Sequence, residues 1–173
     1  MKNVFKKFRR FRRDEGGYSS AEFVIVATTF LTGFFWIFET GLIMTKQMML
    51  ERAVDMTVRQ MRLASSPVFT HDKIRDDICE LAMIIDNCKQ DLLLEMDVVD
   101  LDVGFTKDVK CRNKEHDVTP VTVWTPGLRS EIVYMRACAI IDPMMPNGIA
   151  LFPGVTAAGI PLFADTAFVN EPE

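Results

Sequence analysis

Asp14-Glu15-Gly16-Gly17-Tyr18-Ser19-Ser20-Ala21-Glu22-Phe23 is the stretch on which the reading of this chain turns. Before it stand Lys2, Lys6, Lys7, Arg9, Arg10, Arg12 and Arg13. After it runs FVIVATTFLTGFFWIF, residues 23–38, without a charge; Glu39 interrupts, and apolar character continues to Met44. A segment of that length spans a bilayer. Glu22 at its mouth is costly, roughly 2.5–3.5 kcal/mol on insertion scales if a carboxylate reaches the centre. A Gly pair between charge and apolar run holds helix poorly and can extend into a protease cleft.

Charge is divided along the chain. Residues 1–17 hold seven Lys/Arg against two Asp/Glu, a net +5; the rest hold 13 against 22, a net −9. A basic cluster beside an apolar run keeps the N-terminus on the cytoplasmic side and suits anionic headgroups. The acidic remainder argues against a nucleic-acid surface. A secretory signal needs a shorter apolar region and a small-residue cleavage site after it, and neither is present. Arg9-Arg10 and Arg12-Arg13 lack a twin-Arg consensus. A retained span, N-terminus inside, is the reading left, with Trp36 near the outer interface.

All four cysteines, Cys79, Cys88, Cys111 and Cys138, follow the span. On the oxidising side an even count fits two bridges, with three connectivities open. Cys79–Cys88 and Cys111–Cys138 is the favoured pairing: the first closes a helix end on its following turn, the second ties two strands.

The helix is expected to continue past the membrane to Ala64, about 65–70 Å in all at 1.5 Å per residue. Met49, Ala53, Met56, Gln60 and Leu63 fall on one side, widened by Leu50, Val54, Val58 and Met61; Glu51, Arg52, Asp55, Arg59 and Arg62 fill the other, with Asp55–Arg59 an i,i+4 pair. The stripe packs on the chain's own domain or on neighbouring subunits. Ser65-Ser66-Pro67 ends the pattern. Thr70 is placed to cap a second helix from His71 to Ile85. Alternation then predicts strands: Leu92 to Val98, a phase shift at Val98–Val99 read as a bulge or bend, Val99 to Phe105 in the opposite phase, a short strand Val121–Trp124, a central strand Ile132–Ile141 and a last strand Pro161–Asn170. The fold class is α+β: a long N-terminal helix, transmembrane and extended outward, plus a small disulfide-stapled periplasmic domain with a second helix and a mostly antiparallel sheet. Asp142–Gly159, with Met144, Met145, Leu151 and Phe152, reads either as a partner-binding loop or as a cover under the sheet.

Gly17-Tyr18-Ser19-Ser20-Ala21-Glu22-Phe23 resembles the type IV prepilin processing pattern in its tight-adherence (Tad) form: Gly, four residues, Glu, then an aromatic. With the Glu39-x-Gly41 pair and the Ala53 to Arg59 segment, the chain resembles the TadE-like pseudopilin family over residues 14–62. Ala167 to Pro172 is similar to that family's usual ending. The family often carries a Pro near Thr28, and this chain has none there, so its span is expected to be straighter.

The resemblance implies a minor pilin (pseudopilin) of a Tad pilus system, cut by a prepilin peptidase after Gly17. Tyr18, often N-methylated in this class, becomes the mature N-terminus. The expected organisation is 1–17 basic leader, 18–64 transmembrane and extended helix, 65–173 periplasmic or extracellular domain. The implied partners are the prepilin peptidase, other minor pilins, the major pilin, the membrane assembly platform and the bilayer; no nucleic acid is expected. Gly16, Gly17 and Tyr18 form the processing site; Glu22, Phe23 and Glu39 are assembly residues. Glu22 is read as pairing with the new α-ammonium of Tyr18, in its own chain or a neighbour. Glu39 is read as solvated at the outer interface, or alternatively as a subunit contact. The subunit would reside in a bacterial inner membrane, act in initiation, priming or capping of the pilus for surface adherence, and enter the extracellular pilus itself. The competing reading is an uncleaved bitopic envelope protein with a periplasmic binding or sensing domain.

No enzyme is expected, and no cofactor or metal. His71 and His116 read as surface residues, the cysteine spacings are not those of zinc ligands, and Asp97, Asp100 and Asp102 lack the later Glu of a calcium loop. Neither a Walker A motif nor a nucleophile elbow is present.

Overall fold

A computed structural model describes residues 18–63, 70–99, 111–112, 122–128, 130–144 and 159–169. The elements in chain order are α1 (Tyr18–Leu63), α2 (His71–Leu81), α3 (Cys88–Asp91), β1 (Leu93–Val98), β2 (Ile132–Ile141) and β3 (Ile160–Val169). The fold is α+β. The chain divides into two compact units, residues 1–40 and 41–173.

Within the first unit the described structure is the N-terminal part of α1. No Pro interrupts α1. Gly33 and Gly41, its two glycines, face open space where a Cβ would stand, so they leave the helix unbroken without being forced by crowding. The apolar residues from Phe23 to Phe38 are exposed along its length, Phe23 at 72 %.

In the second unit, three antiparallel strands lie in the order β1-β2-β3. Ile132–Ile141 is the central strand, as its two-sided apolar pattern predicts; from Ala137 to Ile141 both faces are buried. One face carries Leu94 and Met96 of β1, Val133, Met135, Ala137 and Ala139 of β2, and Leu162, Ala164 and Phe168 of β3. Leu50, Ala53, Val54 and Val58 of α1 and Ile74 and Ile78 of α2 belong to the same core. The α1 stripe therefore packs on the chain's own domain. Its centre is Leu50-Ala53-Val54-Thr57-Val58 rather than the Met49-Met56-Gln60 line: Met56 and Gln60 are exposed. Small and β-branched side chains let the helix approach the sheet closely, and long flexible Met suits the flank. Buried Thr57 is tolerated because its hydroxyl donates to the Ala53 carbonyl, 2.8 Å.

Several expected boundaries move. α2 stops at Leu81 instead of Ile85, where Ala82 leaves helical geometry and donates its N–H to the Ile78 carbonyl. Ile85 is still buried, from the following turn. Thr70 stands at the N-cap position, but its side chain makes no capping bond. The segment around Trp124 is an isolated parallel bridge to Met96 rather than a strand. Its backbone nevertheless closes the outer edge of β1: the Met96 N–H donates to the Val123 carbonyl and the Thr125 N–H to the Met96 carbonyl, 2.9 and 2.8 Å. At the next outward position the Val98 N–H donates to the Asp97 carboxylate, 2.9 Å. β3 starts at Ile160, after Gly159 at φ +103. Of the run expected from Val99 to Phe105 only Val99 is described, outside any strand, its N–H donating to the Ile132 carbonyl at 2.8 Å; the rest of that run, His116, Val121, and residues 145–158 of the proposed loop lie outside the described residues, while Met144 is described, and exposed.

The described cysteines pair Cys79 with Cys88 and Cys111 with Cys138, Cα–Cα 5.6 Å in each. The first joins α2 to the first residue of α3. The second ties β2 to a residue outside any strand, so the expected strand-to-strand tie is corrected. Arg112, next in sequence, donates through Nη1 to the Gln90 carbonyl (2.8 Å) and to Asp91 Oδ1 (3.2 Å), holding this segment against α3. By loop length the two bridges constrain the unfolded chain by about 2.6 and 3.6 kcal/mol.

Candidate functional site

Tyr18 is the first described residue of α1. The chain up to Gly17, and so Gly16 and Gly17 of the expected processing site, lies outside the described residues. Glu22 lies in α1 and is exposed, next to exposed Phe23.

Beyond Glu22 the helix is suited to an apolar solvent by more than composition. Five threonines lie between Phe23 and Lys46, and each has its hydroxyl satisfied within the helix. Thr28 donates to the Val24 carbonyl, Thr29 to Ile25 (2.9 Å), Thr32 to Thr28 (2.8 Å), Thr40 to Trp36 (2.9 Å) and Thr45 to Gly41 (2.7 Å). In hydrocarbon no water is available, so every polar group must be bonded internally. Among the described residues this is the one helix long and apolar enough to cross a membrane, and none of its most apolar window is buried.

Glu39 departs from the solvated reading: it is 4 % exposed, and it is not without a partner. A carboxylate is kept from water only where other groups replace that water, which spacing along one helix does not reveal.

The second unit carries a cross-strand cluster on the sheet face opposite the core. Arg136 of β2 stands opposite Asp165 of β3 and donates through Nε to its Oδ1 at 2.8 Å. The Arg136 guanidinium also lies 5.0 Å from the centre of the Tyr134 ring. Burial and the neighbouring Asp165 carboxylate push the Tyr134 phenol above its ordinary value. Burial would lower Arg136, but the hydrogen bond and charge of Asp165 outweigh it and raise it. The arrangement braces strands; it offers no nucleophile. Nearby, an open groove of about 320 Å³ is lined by Glu51, Val54 and Asp55 of α1 and Phe163 to Thr166 of β3. Gln47 of α1 donates through Nε2 to the carbonyl of Phe163, one of the lining residues, at 2.6 Å.

His71 is not a simple surface residue. Its ring meets Trp124 edge to face at 4.9 Å, and its Nε2 is buried with no hydrogen-bond partner among the described residues. Sequence reading missed this contact because residues 71 and 124 meet only through the fold. Among the described residues no three His, Cys, Asp or Glu are arranged to hold a metal ion.

No curated protein and no solved structure matches the chain. A family model does: the one described as TadE-like protein matches residues 17–59, from the Gly before α1 through the extension that packs on the sheet. Over that segment, which contains Glu22, the apolar run and the Ala53–Arg59 stretch, the chain is similar to the TadE-like protein family.

Proposed function

We propose that the chain is a minor pilin (pseudopilin) of a Tad-type pilus, inserted with its N-terminus inside and cut after Gly17 by a prepilin peptidase. The observation that carries this reading is where the family match begins. It starts at Gly17, with Glu22 five residues further on at the mouth of the apolar helix. Cutting there would remove the +5 arm and create an α-ammonium one helical turn from the Glu22 carboxylate. That amine offsets the cost of carrying Glu22 into an apolar packing of helices, and pairing with it sets the stagger between subunits. The Thr back-bonding supports the membrane half of the proposal. Residues 65–173 form the periplasmic domain, which would initiate, prime or cap the filament beside other minor pilins, the major pilin and the assembly platform. Binding, not catalysis, is its role.

Intact mass of the membrane-extracted protein tests the proposal. The expected species starts at Tyr18, with or without one methyl group, and is four hydrogens lighter for two bridges. A species retaining residues 1–17 in cells with an active prepilin peptidase would instead support an uncleaved bitopic anchor.

A further inference from the structure

The turn between α2 and α3 exposes apolar side chains that the domain's own packing does not use. Ala82 and Ile85 are buried, while Met83 between them is 79 % exposed and Ile84 38 %. This turn is not free to fold them away. The Cys79–Cys88 bridge spans it, the Ile85 N–H donates to the Ala82 carbonyl at 3.0 Å, and Asn87 takes a left-handed conformation, φ 52, to enter α3. The turn is also bonded to α1, where Lys46 Nζ lies 3.3 Å from Asp86 Oδ2. Lys46 is the first cation after the apolar run and stands two residues past Met44, about 3 Å along the axis. Met44 and Met48 beside it on α1 are exposed as well. Lys46 also offsets the charge of Asp86, so the pair presents no net negative charge to a lipid surface.

We propose that turn 82–87 is a second membrane contact, placing Met83 and Ile84 among the headgroups and upper acyl chains of the outer leaflet. The inference rests on the reading of α1 as a membrane span. Lys46, its ammonium held on Asp86, brings a compensated charge to this level, as an interfacial position requires. A single span leaves a domain free to rotate and tilt about its helix. A second, disulfide-held contact restricts both, and so fixes which face of the domain neighbouring subunits meet.

Tryptophan quenching by brominated phosphatidylcholine tests this with the full chain in phosphatidylcholine vesicles. Three single-probe proteins are needed: Trp124→Phe, leaving Trp36; Trp36→Phe/Trp124→Phe/Met83→Trp; and Trp36→Phe/Trp124→Phe/Leu128→Trp as an exposed control. The expected result is quenching at 36 and at 83, stronger at 83 for bromines placed high on the acyl chain, and none at 128. Ile84→Trp repeats the measurement should the Met83 variant fold poorly by circular dichroism. Quenching at 36 with water-like, unquenched emission at 83 overturns this inference alone. A probe at 83 shielded from both iodide and bromolipid means a protein contact and also overturns it. Absence of quenching at 36 overturns the span reading, and this inference with it.

Discussion

Arg136 and Asp165 stand directly opposite each other on β2 and β3, Nε to Oδ1 2.8 Å, with the Tyr134 ring beside the guanidinium. The pair braces the edge strand from the non-core face of the sheet. A double-mutant cycle with Arg136→Met and Asp165→Asn, read by chemical unfolding in detergent, should give a coupling of about 0.2–1 kcal/mol, the range for opposite charges across a strand pair.

Tyr134 makes the same cluster sensitive to alkali. Burial and Asp165 both disfavour the phenolate, so its folded value lies above the unfolded one. The associated stability is fully present below the unfolded value, about 10, and is lost as pH rises through the raised folded value. The chain has two tyrosines, Tyr18 and Tyr134. Ultraviolet titration should show Tyr134 ionising above pH 10, and Tyr134→Phe should remove that phase and flatten the alkaline fall in stability. Ionisation at or below 10 would contradict the cluster.

The phase of α1 is testable by contrast. Leu50→Ala empties a fully buried site and should cost about 2–5 kcal/mol. Met56→Ala, on the exposed flank, should change stability by no more than about 0.5 kcal/mol. Equal losses would place the stripe where periodicity alone had it.

Gly159 opens β3 at φ +103, and a Cβ there would meet Ile140 Cγ2 at 2.6 Å and the Ile141 carbonyl at 2.8 Å. Gly159→Ala should destabilise by about 1–3 kcal/mol through strain at that dihedral. Gly33→Ala, with open space around it, should leave the fold unharmed. Thermal unfolding of both variants checks the contrast.

For the proposed assembly role, Glu22→Ala should leave processing largely intact, because the Gly pair and basic arm are untouched, yet abolish incorporation into pili. Electron microscopy of surface filaments and the mass of the membrane-bound protein separate the two steps. Normal incorporation of the variant would sink the pairing between Glu22 and the Tyr18 amine.

Much of the fold was legible because its signals are local. An uninterrupted apolar run without Pro is a helix wherever it sits, and Ile132–Ile141, apolar on both faces, reads as a central strand. The errors share one cause. Met56 and Gln60 lie on a helical stripe as well as Leu50 and Thr57 do, and only the sheet opposite decides which are covered. Spacing carries α2 four residues too far, because Ile85 keeps the helical period while reaching the core from a turn. The candidate site divides the same way: Glu22 and Phe23 follow Gly17 in a recognisable pattern, whereas the burial of Glu39 and the meeting of His71 with Trp124 have no signature along the chain.

By itself, then, the sequence determined the anchor: charge, Gly pair, Glu22 and apolar helix, each a property of neighbours within a few residues. Tertiary structure decided the rest: which face of α1 is core, how Arg136 finds Asp165, and why Met83 and Ile84 stay exposed beside Lys46. Those outcomes depend on contacts between residues distant in sequence, 29 positions for Arg136 and Asp165 and 40 for Lys46 and Asp86. Spacing can bring such residues onto one face of an element, but only packing between elements selects the partner.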